Sequence, residues 1–347
     1  MKAATALVSG HRADPELAES AVRQALEKAG LRRADSVVLL LSRDFVRQAD
    51  VAARAAARVS GTLSVGGCTA NGLLTEDGWQ LDQPAAAALV YGESAGRVPN
   101  DVPMVSFCGQ SRLPFDWQGD QPRAGLVDAD ATTWSHGRIT ECGTSTIRLP
   151  GVQARVVHSI GLRRLGEAQT VELSQSHELL RLGGQRAVDS LYRALPAELR
   201  ERPPLHRIVA LREADRPGIA ILSGNADGSL SLAEALAPGD RITWAIRQPL
   251  AAEEEIRRLL SATSMETKAV PGVNPKKAPN FALMFSCIGR GPLFYGSDDH
   301  DLLAFRECYP DTPLLGAYGT GQIVPLAGQN RLFQNSVLTL LFESAHV

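Results

Sequence analysis

Apolar and polar positions along this chain fall into blocks of alternating period. Near the N-terminus, Leu17, Ala21, Val22, Ala25, Leu26 and Ala29 recur at helical spacing. Asp14 is placed to cap that helix, Pro15 suits its first turn, and Gly30 suits its end. The run Ser36-Val-Val-Leu-Leu-Leu41 has no polar face and predicts a strand buried on both sides. A second helix is expected over Asp44 to Val59, stopping near Gly61, and another strand over Ala85 to Tyr91. The same order returns late in the chain. A helix is expected from Glu253 to Thr263, a strand from Asn280 to Ser286, a helix from Asp301 to Cys308, and a strand from Ser336 to Phe342.

A glycine segment sits at the same place in each series. The first is Ser64-Val-Gly-Gly-Cys-Thr-Ala-Asn-Gly72 and the second is Pro313-Leu-Leu-Gly-Ala-Tyr-Gly-Thr-Gly321. In both, a glycine (Gly67, Gly316) is followed five positions later by another (Gly72, Gly321). We read these as glycine turns, in which backbone N–H groups form an anion nest or simply need positive φ. The shared order argues for an internal duplication, set against the routine repetition of units in α/β chains. The fold class expected is α/β: two related halves with mixed sheets, and a β-rich insertion in the first half. The insertion covers about Val105 to Thr170, including Gln153 to Ile160. A helix follows Gly183-Gly184, with Ala187, Val188, Leu191 and Leu195 inward, and Arg202-Pro203-Pro204 marks a boundary. Domains of 1–203 and 204–347 follow. Residues Val270 to Pro279 are expected to be an exposed connection.

Composition narrows the function classes. A net charge of -2 and 5% aromatic residues argue against nucleic acid or an anionic membrane as partner. Five cysteines without close pairing suit a reduced, cytoplasmic chain. Neither a signal peptide nor a membrane-spanning run is expected.

Three further segments complete a family likeness. Phe281-Ala-Leu-Met-Phe-Ser-Cys-Ile-Gly-Arg-Gly291, the second glycine segment and Phe333-Gln-Asn-Ser336 resemble the C-terminal half of the FIST family. Gly66 to Gly72 with Asp77-Gly78 resembles its N-terminal half, and the likeness extends over nearly the whole chain. The two domains would then be FIST-N-like and FIST-C-like. The resemblance implies a sensory, small-ligand-binding module of bacterial signal transduction, with an amino acid or similar metabolite as ligand. It also implies a signalling partner such as a histidine kinase or cyclase, engaged in trans because no effector domain is appended. One branch of the family implies a different ligand, haem with nitric oxide. Two positions depart from the family pattern: Gln322 stands where the family often has Glu, and Gln334 where it often has His. Both remove a titratable group.

The candidate ligand-binding residues are Cys287, Arg290 and Gly291; Gly316, Tyr318, Gly319 and Gly321; Gly67, Cys68, Thr69 and Asn71; and Asn335. Arg290 is expected either to anchor an anion or to pair with a carboxylate of the protein. Cys287, delivered by a buried strand, is either a ligand contact, the nucleophile of a cysteine-dependent enzyme, or structural. Haem would need an axial ligand, for which His158 and His177 are the candidates. Asp298-Asp-His-Asp301 is read as a capping loop in which Ser297 or Asp298 caps the next helix, rather than a metal site.

Overall fold

The computed structural model describes residues 1–93, 102–119, 121–212, 216–266 and 278–344. They form two compact units, Met1–Ile160 with Glu255–Val347, and Gly161–Glu254. The first unit begins with β1 (Lys2–Ser9), α1 (Pro15–Ala29), β2 (Ser36–Ser42), α2 (Ala49–Ser60) and β3 (Val65–Ala70). A hairpin of β4 (Gly72–Thr75) and β5 (Gly78–Gln80) follows, and then β6 (Ala85–Gly92). The expected caps of α1 are present. Asp14 accepts from the Glu16 N–H at 2.9 Å, and Gly30 ends the helix at φ 62°. The helix expected from Asp44 is a short 3-10 turn, Arg43–Arg47, followed by α2, with Phe45 of the turn fully buried.

The β-rich segment supplies β7 (Met104–Cys108), β8 (Arg123–Val127), β9 (Thr133–Ser135), β10 (Arg138–Ile139), β11 (Thr144–Ile147) and β12 (Val152–Ser159). The second unit holds β13 (Leu162–Arg164), β14 (Gln169–Gln175), β15 (Glu178–Leu182), β16 (Gln185–Arg186), α3 (Ala187–Ala194), α4 (Ala197–Arg200), β17 (Ile208–Arg212), β18 (Ile219–Gly224), β19 (Leu230–Leu232) and β20 (Arg241–Arg247). The strands run β20-β14-β15-β19-β18-β17, and β17 pairs back onto β20, closing a six-stranded antiparallel barrel. Its core takes Trp244, Leu179 and Leu182 together with Ala187, Leu191 and Leu195, three of the residues expected to face inward from the helix after Gly184. The boundary expected at 203/204 falls inside this unit.

After α5 (Pro249–Glu266) the first unit is completed by β21 (Phe281–Cys287), α6 (Pro292–Tyr295), α7 (His300–Cys308), β22 (Leu314–Gly319), β23 (Gly321–Leu326), β24 (Gln329–Phe333) and β25 (Val337–Ser344). Of the connection expected over 270–279, residues 270–277 lie outside the described residues.

Two sheets of this unit share one plan. One runs β1-β6-β2-β3-β9-β10 and the other β12-β25-β21-β22-β4-β5. In each, the third and fourth strands are parallel and their other neighbours antiparallel. The second copy therefore starts at β12, and the whole second unit is inserted between its first strand and its helix. A third sheet, β11-β7-β8-β23-β24, repeats the same parallel pair and hairpin without the outermost strand. The hairpins are exchanged: the chain leaving β3 pairs with β22, that leaving β22 pairs with β8, and that leaving β8 pairs with β3.

Period-two alternation explains how these sheets pack. From β6, Ala85, Ala87, Leu89 and Tyr91 join a central core shared with Phe107, Phe281, Phe285 and Leu340. Ala86, Ala88 and Val90 face outward under α1 and α2. From β21, Phe281, Leu283 and Phe285 face the central core, while Ala282 and Met284 pack against Ile256, Leu260 and Phe305 of α5 and α7.

The glycine segments are strands, not turns. Gly67 of β3 lies in register with Leu39, and a Cβ there would stand 1.7 Å from the Leu39 carbonyl oxygen. Gly316 of β22 faces Met284, with a Cβ-to-oxygen distance of 2.2 Å. Gly125 of β8 does the same opposite Ser106 at 1.8 Å. Close backbone approach within a parallel pair, rather than a turn, requires glycine at these three positions.

Candidate functional site

The three parallel pairs end side by side in their own registers, at Ser42/Ala70, Cys108/Val127 and Cys287/Gly319. Immediately after the second strand of each pair comes a polar residue at which the chain crosses to another sheet: Asn71, Asp128 and Thr320. These crossings are bonded to one another. The Asn71 N–H donates to the Tyr318 carbonyl at 2.9 Å, and the Thr320 N–H to the Val127 carbonyl at 2.9 Å. The Thr69 N–H donates to the Thr132 carbonyl at 2.9 Å, and Thr69 Oγ1 accepts from the Thr132 N–H at 3.0 Å. Thr320 Oγ1 accepts from the Ala129 N–H at 3.2 Å. Asn71 Nδ2 donates to Asp128 Oδ1 at 2.8 Å. The exchange of hairpins thus brings both glycine segments into one place.

Asp128 is the charged centre of this junction. Its carboxylate is buried and receives Arg43 through Nε at 3.2 Å and Nη2 at 2.7 Å, while Arg43 itself is 45% exposed. Burial raises the Asp128 pKa to about 6, against the opposing pull of Arg43 and Asn71. Such a carboxylate changes charge in the mildly acidic range.

A cleft of about 480 Å³ opens beside the junction. Asn71, Trp79, Leu81 and Asp82 line one side, contributed by the first glycine segment and its hairpin. Ile288, Pro292, Leu293, Gly296 and Ser297 line the other, just beyond the end of β21. Its walls are mainly apolar, with an amide, a carboxylate and a hydroxyl as polar groups, the composition of a small-molecule site.

The candidate residues divide around this cleft. Asn71 lines it. Gly291 precedes Pro292 and allows α6 to approach Tyr318, whose ring carbon would lie 2.8 Å from a Cβ there. Gly289 leaves room for Asn335, which adopts φ 54°. Gly319 and Gly321 permit tight strand packing against Leu126 and Leu332. Tyr318 is fully buried, its hydroxyl bonded to Asp299. Cys68 faces the central core, and burial raises its thiol pKa. Cys287 is buried at the end of β21, its sulfur donating to the Thr320 carbonyl at 3.8 Å. Gln322 is also buried. With its amide nitrogen toward Ser336 Oγ (2.8 Å), its oxygen lies 2.9 Å from the Cys287 N–H. The neutral amide therefore fits where a carboxylate would be desolvated.

The anchoring role expected of Arg290 gives way to an internal ion pair. Arg290 is fully buried and meets Asp301 through Nε (3.1 Å) and Nη2 (2.8 Å). It also donates to the Ser159 carbonyl at 2.9 Å and to Ser159 Oγ at 2.8 Å. Burial opposes its charge, but the Asp301 carboxylate outweighs that and raises the guanidinium pKa. The loop before α7 caps as expected, except that Asp299 does it, accepting from the Asp301 and Leu302 N–H groups at 2.9 and 3.0 Å. Burial and the neighbouring Asp301 charge push Asp299 up to about 6. Among the described residues no group of His, Cys, Asp and Glu is arranged to hold a metal ion.

The two candidate histidines sit apart from the cleft. His158 lies in β12 with its ring 4.4 Å from that of Phe333, and burial with the Arg290 charge lowers its pKa to about 3. His177 is exposed in the second unit, Nδ1 3.2 Å from the Leu232 carbonyl. Neither lines this cleft or the three other cavities described for the first unit. Sequence reasoning missed Asp128, Arg43 and Trp79. The available signal was Arg123-Ala-Gly-Leu-Val-Asp128, a third glycine strand ending in a polar crossing residue.

No helix among the described residues is long and apolar enough to cross a membrane. The chain is similar to the uncharacterized protein Rv0628c of Mycobacterium tuberculosis, 25% identical over 94% of this chain and 95% of the relative. It is also similar to the uncharacterized protein Mb0898c of Mycobacterium bovis, 26% identical over 79% of this chain and 76% of the relative. Residues 185–325 match the family model of the FIST C domain, a span that holds Cys287, Arg290 and the second glycine segment. Over that span, and not over the whole chain, the sequence is similar to the FIST C domain.

Proposed function

We propose that this chain is a non-enzymatic sensory protein that binds an amino acid or similar small metabolite in the cleft between Trp79 and Pro292. Residues 1–160 supply the part of a FIST N domain in this reading. The observation that carries it is that the cleft is built jointly from the first glycine hairpin and the segment after β21. A ligand there touches both and favours the conformers in which they are held together. The Asp82 carboxylate suits an amino group, the Asn71 amide suits a polar oxygen or nitrogen, and Trp79, Leu81 and Ile288 suit an apolar side chain. The response passes in trans to a cytoplasmic signalling partner such as a histidine kinase or cyclase, through the surface that the ligand orders.

The test is a thermal-shift screen of amino acids and related metabolites on the purified chain. A ligand at a hundred times its Kd stabilises by about 2.7 kcal/mol, which such a screen resolves. We expect at least one metabolite to raise Tm, and the shift to disappear in Trp79→Ala and in Asn71→Ala. A shift that survives both substitutions removes the ligand from this cleft, and no shift at millimolar concentration overturns the metabolite reading.

A further inference from the structure

A second cavity, of about 440 Å³, lies at the opposite ends of the same strands, where β3, β7 and β8 begin with Val65, Met104 and Arg123. Among the described residues its charged side chains are Arg123 and Arg148, and none of them that lines it is a carboxylate. Ser64, Ser135, Thr146 and Gln121 add hydroxyl and amide groups, and His136 an imidazole.

Arg123 is held in place before any ligand arrives. Nη1 donates to Thr146 Oγ1 at 3.0 Å and to Ser106 Oγ at 3.3 Å, and the guanidinium lies 4.4 Å over the Trp117 ring. Those contacts fix the plane of the fork through Nη1 and leave the Nε and Nη2 edge for another acceptor. Burial lowers the Arg123 pKa; the Asp116 charge opposes that, and the Arg148 charge adds to it. Asp116 is not on the cavity wall. Two guanidinium groups facing one partly buried space, with no carboxylate among the described residues of its lining, leave positive charge that an anion would neutralise.

We propose that this cavity is a second ligand site, for a small metabolite carrying a phosphoryl group. Donors converge on it from separate strands and from the turn at His136. That arrangement suits the three terminal oxygens of a phosphoryl group better than the two of a planar carboxylate. Val65, Met104 and Ile147 then give the organic part of the metabolite an apolar wall. The site is separate from the cleft beside Asn71, so either can fail without the other.

The probe is inorganic phosphate, followed by 31P line broadening and by thermal shift, with succinate and chloride at matched ionic strength as comparisons. The variants are Arg148→Gln, at an exposed position where a substitution costs little stability, and Arg123→Lys, which keeps charge but loses the fork. We expect phosphate to raise Tm and broaden in the unmodified chain. Its apparent Kd should weaken about tenfold or more in Arg148→Gln, the loss of one charge-assisted hydrogen bond. Asn71→Ala should leave phosphate binding unchanged. Equal phosphate effects in the unmodified chain and Arg148→Gln, or no effect at all, overturn the site. A larger effect of succinate than of phosphate overturns the phosphoryl assignment.

Discussion

Asp128 shows how one residue carries both structure and a response to pH. Its pKa is about 6 in the folded chain against an ordinary 3.8. The folded state therefore holds a proton that the unfolded state has already released between about pH 4 and 6. The corresponding stability is fully present below pH 4 and is lost as pH rises through 6, a difference of roughly 3 kcal/mol. Asp299, also at about 6, acts in the same window. Comparing the unmodified chain with Asp128→Asn isolates the Asp128 part. Urea unfolding from pH 7 to pH 4 should show the unmodified chain gaining about 1–3 kcal/mol relative to the variant. A pH-independent difference would show that Arg43 and Asn71 fully offset the burial of the carboxylate.

At the scale of the element, the parallel pair with its glycine is the repeating device. Gly67, Gly125 and Gly316 each face a carbonyl oxygen of the neighbouring strand, so an added methyl group meets backbone rather than a movable side chain. Substitution by Ala at any of the three should cost about 3 kcal/mol or more, measured as a fall in the denaturant midpoint. Gly119→Ala, where a Cβ meets nothing within 4 Å, should change stability by less than about 1 kcal/mol. Two of the three glycines were visible as an echo in the sequence. Gly125 was not, because its copy lacks the flanking helices and outer strand that made the other two recognisable.

For the whole molecule, the second unit is an insertion within the second copy. Its two connections to the first unit meet at Ser159 and Glu255, whose side chains hydrogen-bond at 2.6 Å. The first unit has its own central core, and the barrel has another. Replacing residues 161–248 by a short Gly/Ser linker should leave a first unit that unfolds cooperatively, as followed by circular dichroism in urea. A chain that stays molten after this replacement would show that the first unit depends on the barrel to fold. The FIST C match runs through both units, so sequence similarity and compactness divide this chain differently.

The sequence by itself determined most elements and the inward faces of the helices. Those are set by local period and capping: Asp14, Pro15 and Gly30 mark α1 without any tertiary partner. It also carried the family likeness, through the segment from Phe281 to Gly291, and it placed Asn71 among the candidates. Only the tertiary structure decided the meaning of the glycines, the partner of Arg290 and the place of Asp128. Each depends on partners in other elements. Gly67 needs glycine because of Leu39 on the adjacent strand, and Arg290 is neutralised by Asp301 and hydrogen-bonded to Ser159. Asp128 meets Asn71 because three hairpins are exchanged between sheets. Local pattern records which face of an element is apolar, whereas exchange and register are fixed by nonlocal pairing, and no periodicity in the chain encodes them.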